Sequence, residues 1–586
     1  MSGLCREIIT LQLGHYSNFV GTHWWNLQDA SLCYDLDTPL GELHSDAMFR
    51  EGVTLRGQVT YTPRLIAMDL KGSLLTLRQE GILYESEKDS SASSWEGEVV
   101  SHKHTPPTKN SFLQDLDKLD NGDILSEVNL HSAQQPNNSE TVNSSIERAK
   151  KTYSLEGSVK VWSDFLRLHL HPRTISVIHQ YNHDGEAGRL EAFGQGEALC
   201  KGPLLDELED KLHFFTEECD YLQGFQVLCD VYDGFSGLGS KVTELLQDSY
   251  GGRGILTWGL TPTTYPNSTP IREYCHMMNF ALGMLNMANQ SSFFCPLTLR
   301  GGLGPRPAPV PEFTHLNYDP TLWYHSSALL ALSLDTMTVP YRLRQNSTPM
   351  WQMADALAVR GRKVVSAYGA IPLPVHHGTY LLDDLDAASD GLPWKPLSAC
   401  PEEPNGSCYG QSVTLRGLEK KCLVRPHVPG TPASAALDYF SDEDILASYL
   451  QPHYPSSPMA VQYVPSASKL TPPFPQIFSQ SVNPQGLLWN VRNMSAAAAA
   501  ASPPPVLSVP VLTSLQSSSA LGTWLSQLQS TAGRLDLRRI APSFLAHGPE
   551  LSDIQEAMEQ LRDLAHNYSG SDSGKLQSSS EDEDTD

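Results

Sequence analysis

The feature that most constrains this chain is a buried strand followed by a glycine-containing turn and a helix near its start. The strand runs from Arg6 to Gln12, and the turn contains Gly14. Residues 17–28 are predicted to form a helix because their apolar members recur at three- and four-residue steps: Val20, Trp24 and Leu27. A strand, a turn and a helix in succession predict a parallel α/β sheet.

Further units of the same kind follow along the chain. Leu65 to Met68 form a second short strand, and residues 208–222 form a helix with one apolar face. That face consists of Leu208, Leu212, Phe215, Cys219 and Leu222. Gly224 ends this helix before a strand from Phe225 to Val231. The fold class is therefore predicted as α/β with a parallel sheet.

Charge, cysteine usage and hydropathy exclude several classes of function. The chain has 41 Lys and Arg against 66 Asp and Glu, and its net charge of -25 opposes binding to nucleic acid. Its ten cysteines lie far apart without a CxxC pair, which predicts reduced thiols in the cytosol. No apolar run reaches the ~20 residues that span a bilayer, so we expect any membrane association to be peripheral.

Two polar stretches interrupt the predicted fold. Residues 85–155 are rich in Ser, Asn, Asp, Glu and Lys, and are predicted to be a disordered insertion. Residues 426–530 contain Pro-rich turns and the alanine run Ala496–Ala501, and are predicted to be a disordered linker. Residues 571–586 form an acidic tail, which either aids solubility or binds a partner.

Three strand ends have the form of phosphate-binding loops. They are Gly14–Asn18, Met68–Gly72 and Asp233–Gly239. In parallel sheets, ligands bind at the carboxyl ends of the strands, where turns and helix N-termini point backbone amides at anions. Taken singly, each loop is explained either by tight-turn chemistry or by phosphate binding.

The order of these loops resembles the tubulin and FtsZ superfamily. Residues 6–25 resemble the opening of a tubulin without a gap, and the glycine loop 233–239 occupies the place of the tubulin signature GGGTGSG. Other segments also resemble tubulin: 61–70, 219–226, 339–343, 400–417 and 551–568. The resemblance thus extends over most of the chain outside the two polar stretches.

Within the superfamily, the chain resembles the Misato family through Trp24–Asn26, residues 182–189 and its altered glycine loop. The resemblance implies a nucleotide-binding-type α/β domain, an intermediate α+β domain and C-terminal helices, at 4–325, 326–425 and 531–570. It also implies control of mitochondrial distribution and morphology through protein partners. We expect this function in the cytoplasm and at the mitochondrial outer membrane.

The resemblance also implies a site for GTP or GDP. In the superfamily, the first and third loops surround the phosphates, and the second lies near the magnesium ion and the terminal phosphate. The residues in these positions are Gly14, His15, Tyr16, Asp69, Lys71, Gly234, Ser236, Gly237 and Gly239, with Asn279 in place of the guanine-contacting asparagine.

Several positions depart from the tubulin pattern. Asp233 and Phe235 replace glycines and Leu238 replaces serine, which opposes close approach of a phosphate to the backbone. Lys71 replaces a glutamate, and it either pairs with a phosphate or is a solvated loop residue. Asn279 is either a base contact or a buried structural asparagine.

The element that activates hydrolysis in tubulin is missing. Its NxD or NxE sequence falls on Ala328–Leu330, and Asp335 is more than one helical turn away. We therefore expect neither GTP hydrolysis nor head-to-tail polymerisation. Two alternatives remain open: a slow, assembling GTPase that uses Asp69 or Lys71, and a factor in the tubulin or cytosolic chaperonin pathway that affects the spindle.

No other catalytic motif competes with this interpretation. His169 and His171 alternate on a probable strand, with His179 and His183 downstream. They lack a convergent Cys or Asp partner, which favours structural or surface roles over a metal site. The chain has neither a GxSxG elbow nor a Walker GxxxxGK[ST] loop, which removes esterases and P-loop proteins from consideration.

Overall fold

The computed structural model describes these residues: 6–32, 41–53, 59–77, 107–120, 152–184, 188–265, 268–302, 307–387, 391–403, 406–423, 441–489, 504–546 and 548–569. The acidic tail predicted at 571–586 lies outside them, as does most of the insertion predicted at 85–155. Within that insertion, Ser111–Asp120 is a helix instead of a loop. It is ordered by packing, because the Phe112 ring lies 5.5 Å from the ring of Tyr153.

A six-stranded parallel sheet forms the centre of the N-terminal half. Its strands are β1 Glu7–Leu13, β4 Leu65–Lys71, β5 Ile175–Asn182, β6 Leu222–Asp230, β7 Gly254–Leu260 and β8 Phe293–Leu297. An antiparallel hairpin precedes β4 and consists of β2 Phe49–Val53 and β3 Val59–Pro63. The order across the sheet is β5-β4-β1-β6-β7-β8, and every neighbouring pair is parallel. The predicted parallel α/β sheet is confirmed.

Helices cover both faces of this sheet. They are α1 His15–Ser31, α2 Ser111–Asp120, α3 Phe193–Leu199, α4 Pro203–Glu217, α5 Phe235–Ser249, α6 Pro270–Gln290 and α7 Trp323–Met337. One apolar core includes residues of α1 and α7, and a second core includes residues of α3 to α6. Because both faces are covered, β6 and β7 are buried along their whole length.

The register of the sheet brings three strand ends together. Leu13 at the end of β1 stands opposite Met68 of β4 on one side and Cys229 of β6 on the other. The residues that follow these three along the chain are Gly14, Asp69 and Asp230. The predicted first and second loops therefore meet at one edge of the sheet, together with the end of β6.

A second, mixed sheet forms the intermediate domain. Its strands are β9 Ser366–Ala370, β10 Lys395–Pro396, β11 Cys408–Arg416, β12 Met459–Val464 and β15 Val511–Ser518. Their order is β10-β9-β15-β11-β12, with β11 and β12 parallel and the other pairs antiparallel. A small ladder and three helices complete this part: β13 Ser468–Lys469, β14 Ser508–Val509, α8 Met350–Leu357, α9 Leu381–Ala387 and α10 Asp442–Leu450.

The prediction of a disordered linker at 426–530 is wrong for the described part of that stretch. It contains β12 and β15, and β15 is the central strand of the second sheet. The strand was missed because its Ser, Thr and Gln residues resemble a loop. In the sheet these side chains are buried, and the Ser514 hydroxyl accepts a hydrogen bond from Gln411 Nε2 at 2.9 Å. The intermediate domain thus extends past residue 425 to Ser518.

The predicted C-terminal helices are present, and they pack on the N-terminal half. They are α11 Ser519–Gly533, α12 Leu537–Ile540, α13 Pro542–Ala546 and α14 Leu551–His566. The first begins before the expected boundary at 531. Tyr568 fixes their end, because its buried hydroxyl donates to Val364 O at 2.5 Å and accepts from Val364 N at 2.8 Å. Across the described ranges, no helix is both long and apolar enough to cross a membrane.

Candidate functional site

A cavity of about 370 Å³ opens at the carboxyl edge of the parallel sheet. Its lining includes side chains from the first loop, from the glycine loop and from more distant segments: His15, His183, Arg189, Tyr232, Asp233 and Trp323. This is the edge at which parallel α/β sheets bind their ligands. The cavity therefore marks the place where a tubulin-like domain would hold a nucleotide.

The N-terminus of α1 is capped by a carboxylate of the chain itself. The backbone N–H groups of Tyr16 and Ser17 donate to Asp230 at 2.9 and 2.7 Å. A helix N-terminus attracts anions because its amide groups are free and its dipole is positive there. Asp230 thus occupies the anion position that the resemblance to tubulin assigns to a phosphate.

Two predicted residues of the first loop serve this internal arrangement. Gly14 has φ 114°, and a Cβ added there would lie 2.4 Å from an Asp230 oxygen. Only glycine combines that backbone conformation with so close a carboxylate. The Tyr16 side chain is buried, and its hydroxyl donates to Ser326 Oγ at 3.0 Å. The loop is therefore shaped around Asp230.

Both carboxylate oxygens of Asp69 form hydrogen bonds with other groups of the protein. One oxygen accepts from Trp162 Nε1 at 2.8 Å and lies 2.8 Å from His15 Nδ1, while the other accepts from Leu70 N at 2.7 Å. Burial opposes its ionisation, but the nearby His15 and His183 and these hydrogen bonds outweigh burial and hold the pKa of Asp69 below its usual value. Asp69 is therefore an ionised group at the base of the site.

Lys71 lies outside this cluster. It ends β4 with an exposed side chain and is not part of the cavity lining. Its carbonyl oxygen accepts a hydrogen bond from His183 N at 2.9 Å. Of the two alternatives for Lys71, the solvated loop residue matches this position.

The glycines of the third loop allow two helices to approach closely. A Cβ at Gly237 would lie 1.9 Å from the Phe193 carbonyl oxygen, and a Cβ at Gly234 would lie 2.6 Å from Leu190 Cγ. On the facing helix α3, a Cβ at Gly196 would lie 1.8 Å from the Gly234 carbonyl oxygen. Packing of α3 against α5 therefore explains these glycines without a phosphate.

The remaining predicted residues of this loop also bond internally. The Ser236 hydroxyl donates to Asp233 O at 2.7 Å, and Phe235 N donates to Asp233 Oδ1 at 2.9 Å. A Cβ at Gly239 would lie 2.4 Å from the Cys229 sulfur, which places this glycine against β6. The hydroxyl and the glycines that sequence assigns to a phosphate cradle thus stabilise the start of α5.

Asn279 connects three backbone segments. Its Nδ2 donates to Glu191 O at 2.7 Å and to Tyr232 O at 2.9 Å, and its Oδ1 accepts from Phe193 N at 2.8 Å. The side chain is completely buried. Of the two alternatives for Asn279, the structural asparagine matches these contacts.

Buried carboxylates make the base of the cavity acidic. Burial, and then the adjacent Asp233, raise the pKa of Asp230 well above its usual value, while the amides of Tyr16 and Ser17 oppose this rise. Burial raises the pKa of Asp233 to about 8. Asp69 is ionised at neutral pH, whereas Asp230 and Asp233 become charged only as the pH rises towards their raised pKa values, and they then add to the repulsion of a polyphosphate.

Asp233→Asn is expected to stabilise the protein at neutral and mildly alkaline pH. The folded-state pKa of Asp233 is about 8 against an ordinary value of 3.8, so wild-type stability falls as the pH rises through this window. Asparagine keeps an oxygen for Phe235 N and has no proton to lose. We expect the stability difference to grow by about 1 kcal/mol per pH unit. Denaturant unfolding across the window measures it, and a difference independent of pH would contradict the prediction.

The position of tubulin's activating acid is filled by core residues. Ala328, Leu329 and Leu330 are wholly buried within α7. Asp335, the nearest acid, binds Arg342 at 2.8 Å and also pairs with Arg416. Burial opposes its ionisation, but the two arginines prevail and lower the pKa of Asp335 to about 2. Its carboxylate is therefore a structural anion inside the protein.

Sequence analysis missed three residues that shape the site: Asp230, Trp162 and Trp323. It assigned His183 a structural or surface role, whereas the structure brings this side chain to His15 and Asp69. A carboxylate near the end of an otherwise apolar strand is a signal that identifies Asp230. Trp162 and Trp323 come from segments far from the three loops along the chain. Only the fold brings them to His15 and Asp69, so no local pattern identifies them.

Comparisons with known proteins agree with this architecture. The Misato Segment II tubulin-like domain matches residues 6–118, and the Tubulin domain matches residues 152–343. Protein misato homolog 1 of Danio rerio is 61% identical, covering 100% of both chains. Its Homo sapiens counterpart is 46% identical over 98% of this chain and 100% of its own. Protein misato of Drosophila melanogaster is 30% identical over 97% and 99%.

The parallel sheet with its loop-lined cavity, the second mixed sheet and the C-terminal helices define a tubulin-like protein. The tubulin-like domain is a nucleotide-binding fold, and this fold is compatible with binding of GTP or GDP. The similarity to the misato proteins extends over the full length of the chain, and it identifies the family within this class. The chain belongs to the Misato family.

Proposed function

We propose that this chain is a noncatalytic, tubulin-like regulator of mitochondrial distribution and morphology that acts through protein partners. It works in the cytoplasm and peripherally at the mitochondrial outer membrane. The mitochondrial part rests on membership of the Misato family and on the function that the resemblance implies. A large folded platform with a net charge of -25 suits docking of protein partners better than binding of nucleic acid.

The noncatalytic part rests on one observation, the buried Ala328–Leu330 in place of an activating acid. Hydrolysis of a nucleoside triphosphate requires a group that orients the attacking water. The apolar side chains of this segment cannot do so, and Asp335 is held by two arginines. In this proposal, any assembly of the protein proceeds without a hydrolytic cycle.

The proposal also concerns GTP and GDP. The fold is compatible with a guanine nucleotide, but Asp230 caps α1 and α3 covers the glycine loop. A nucleotide would have to displace the carboxylate before its phosphates reached the amides of α1. We therefore propose that the fold is stable without nucleotide.

We expect purified protein to release no phosphate from GTP above background, at any protein concentration. Neither GTP nor GDP is expected to raise the melting temperature, whereas a ligand present at 100 times its Kd stabilises by about 2.7 kcal/mol. Purified tubulin is the positive control for both assays. Release that rises with protein concentration and disappears in Asp69→Ala would contradict this prediction and support the slow GTPase.

A cellular experiment tests the mitochondrial part. We expect depletion of the protein to disturb the distribution of mitochondria and the wild-type chain to restore it. The Lys71→Ala variant should restore it equally, because Lys71 is exposed and a noncatalytic mechanism does not use it. Failure of this variant would support the slow GTPase. Normal mitochondria with a spindle defect, and tubulin or chaperonin as the dominant captured partner, would support the alternative pathway.

A further inference from the structure

His15, Asp69 and His183 converge at the base of the cavity. Each offers one ligand atom, and these atoms all lie within 4.8 Å of one another. His15 Nδ1 is 2.8 Å from Asp69 Oδ2, and the rings of the two histidines lie 3.7 Å apart between centroids. They come from the first turn of α1, from β4 and from the segment after β5. The fold thus assembles a set that no local sequence pattern contains.

The chemistry of this set differs from that of a magnesium site. Mg²⁺ prefers carboxylate, phosphate and water oxygens, whereas imidazole nitrogens suit Zn²⁺ and other transition metals. Two histidines and one carboxylate are a common protein ligand set for Zn²⁺, with a further position left for water. The adjoining cavity of about 370 Å³ has room for that water.

The distances are compatible with a shared ion. Metal–ligand bonds of roughly 2.0–2.2 Å place neighbouring ligand atoms about 3 Å apart. The pair formed by His15 and Asp69 is already close to that separation at 2.8 Å. An ion between them would replace the proton of this contact. His183 would have to move closer to bind the same ion, because the three ligand atoms lie within 4.8 Å of one another.

The surrounding contacts hold the ligands in place. Trp162 Nε1 donates to Asp69 Oδ2 at 2.8 Å, and Leu70 N donates to the other oxygen at 2.7 Å. The backbone N–H of His183 donates to Lys71 O at 2.9 Å, which joins its segment to the end of β4. Such outer contacts orient ligands and strengthen metal binding. Asp69 and His15 are also buried, at 1% and 5% exposure.

We propose that His15, Asp69 and His183 bind one divalent transition metal ion, with Zn²⁺ as the best match. The ion joins α1 and β4 to the segment after β5 and thereby stabilises the cavity. Metal binding requires no nucleotide, because all three ligands belong to the chain, although His15 and His183 also line the cavity in which a nucleotide would lie. It is also independent of the mitochondrial function proposed above.

Titration of the full chain tests this assignment. Protein treated with a chelator and then dialysed is titrated with ZnCl₂ alone in a calorimeter, and with CoCl₂ while its visible spectrum is recorded. We expect one equivalent of Zn²⁺ per chain and cobalt d–d bands without a sulfur-to-cobalt charge-transfer band. The absent charge-transfer band distinguishes this site from binding by the cysteines. MgCl₂ at the same concentrations should produce no binding.

Matched variants locate the site. His183→Gln should weaken Zn²⁺ binding at least 10-fold and remove the rise in melting temperature that Zn²⁺ produces. His179→Gln should change neither the affinity nor the melting temperature, because His179 lies on β5, four residues earlier, with an exposed side chain. Wild-type protein that binds no Zn²⁺ would overturn the proposal even if a variant failed to fold. Unchanged affinity in His183→Gln, or a charge-transfer band, would also overturn it.

Discussion

Asp335→Asn is expected to lower the free energy of unfolding by about 3–5 kcal/mol, because it leaves two buried arginines without their counter-charge. Asp335 contacts Arg342 at 2.8 Å and Arg416, and both arginines are 2% exposed. Gln28 Nε2 and Ser468 Oγ also donate to it, at 2.8 and 2.7 Å. The substitution preserves side-chain volume, so the loss reports on charge. Denaturant unfolding followed by tryptophan fluorescence measures it.

The control and the pH dependence separate this effect from a general loss of charge. Asp248→Asn, at an exposed position near the end of α5, should change stability by less than about 0.5 kcal/mol. The pKa of Asp335 is lowered from 3.8 to about 2, so its contribution is complete above the ordinary value and disappears as the pH falls between the two. Equal stabilities of wild type and Asp335→Asn above that window would contradict the prediction.

Gly237→Ala is expected to destabilise the protein by about 1–3 kcal/mol or more, with or without GTP. An added methyl group would lie 1.9 Å from the Phe193 carbonyl oxygen, and neither backbone can move without separating α3 from α5. At an unobstructed helical position, the same change would stabilise by up to about 1 kcal/mol. A fall in melting temperature therefore indicates a tightly packed glycine, and a rise indicates an unobstructed helical position.

Gly157→Ala is the matched control for this prediction. No heavy atom lies within 4 Å of a Cβ added there, so the substitution should be nearly neutral. If the glycine loop instead serves only to bind phosphate, Gly237→Ala should fold with normal stability and lose a nucleotide effect that wild type has. That result would contradict the packing role.

The sequence predicted the N-terminal sheet because its signals are local. Strand patterns such as Arg6–Gln12 and the helical spacing after Gly14 depend on neighbouring residues only. β15 was missed because a strand rich in polar residues does not show the hydropathy pattern of a buried strand. In the structure these polar residues are buried between β9 and β11. Burial that depends on distant strands is not encoded in local composition.

The sequence predicted which edge of the sheet holds the candidate loops, but it did not predict what the residues of those loops contact. The three loops were expected at one sheet edge, and two of them meet the end of β6 there. The roles of Gly237 and Asn279 depend on α3, whose contacts involve residues far away in sequence. A glycine that permits helix packing and a glycine that permits phosphate approach have the same sequence signature. Coordinates are required to distinguish them.

The carboxylate at the N-terminus of α1 has a consequence for how this protein responds to cellular conditions. Where the N-terminus of a helix binds the phosphate of a free nucleotide, the stability of the folded state rises with the concentration of that nucleotide. Here Asp230 is part of the same chain, so its effective concentration is constant. If the fold is stable without nucleotide, as proposed above, the domain keeps its shape whether the GTP level is high or low.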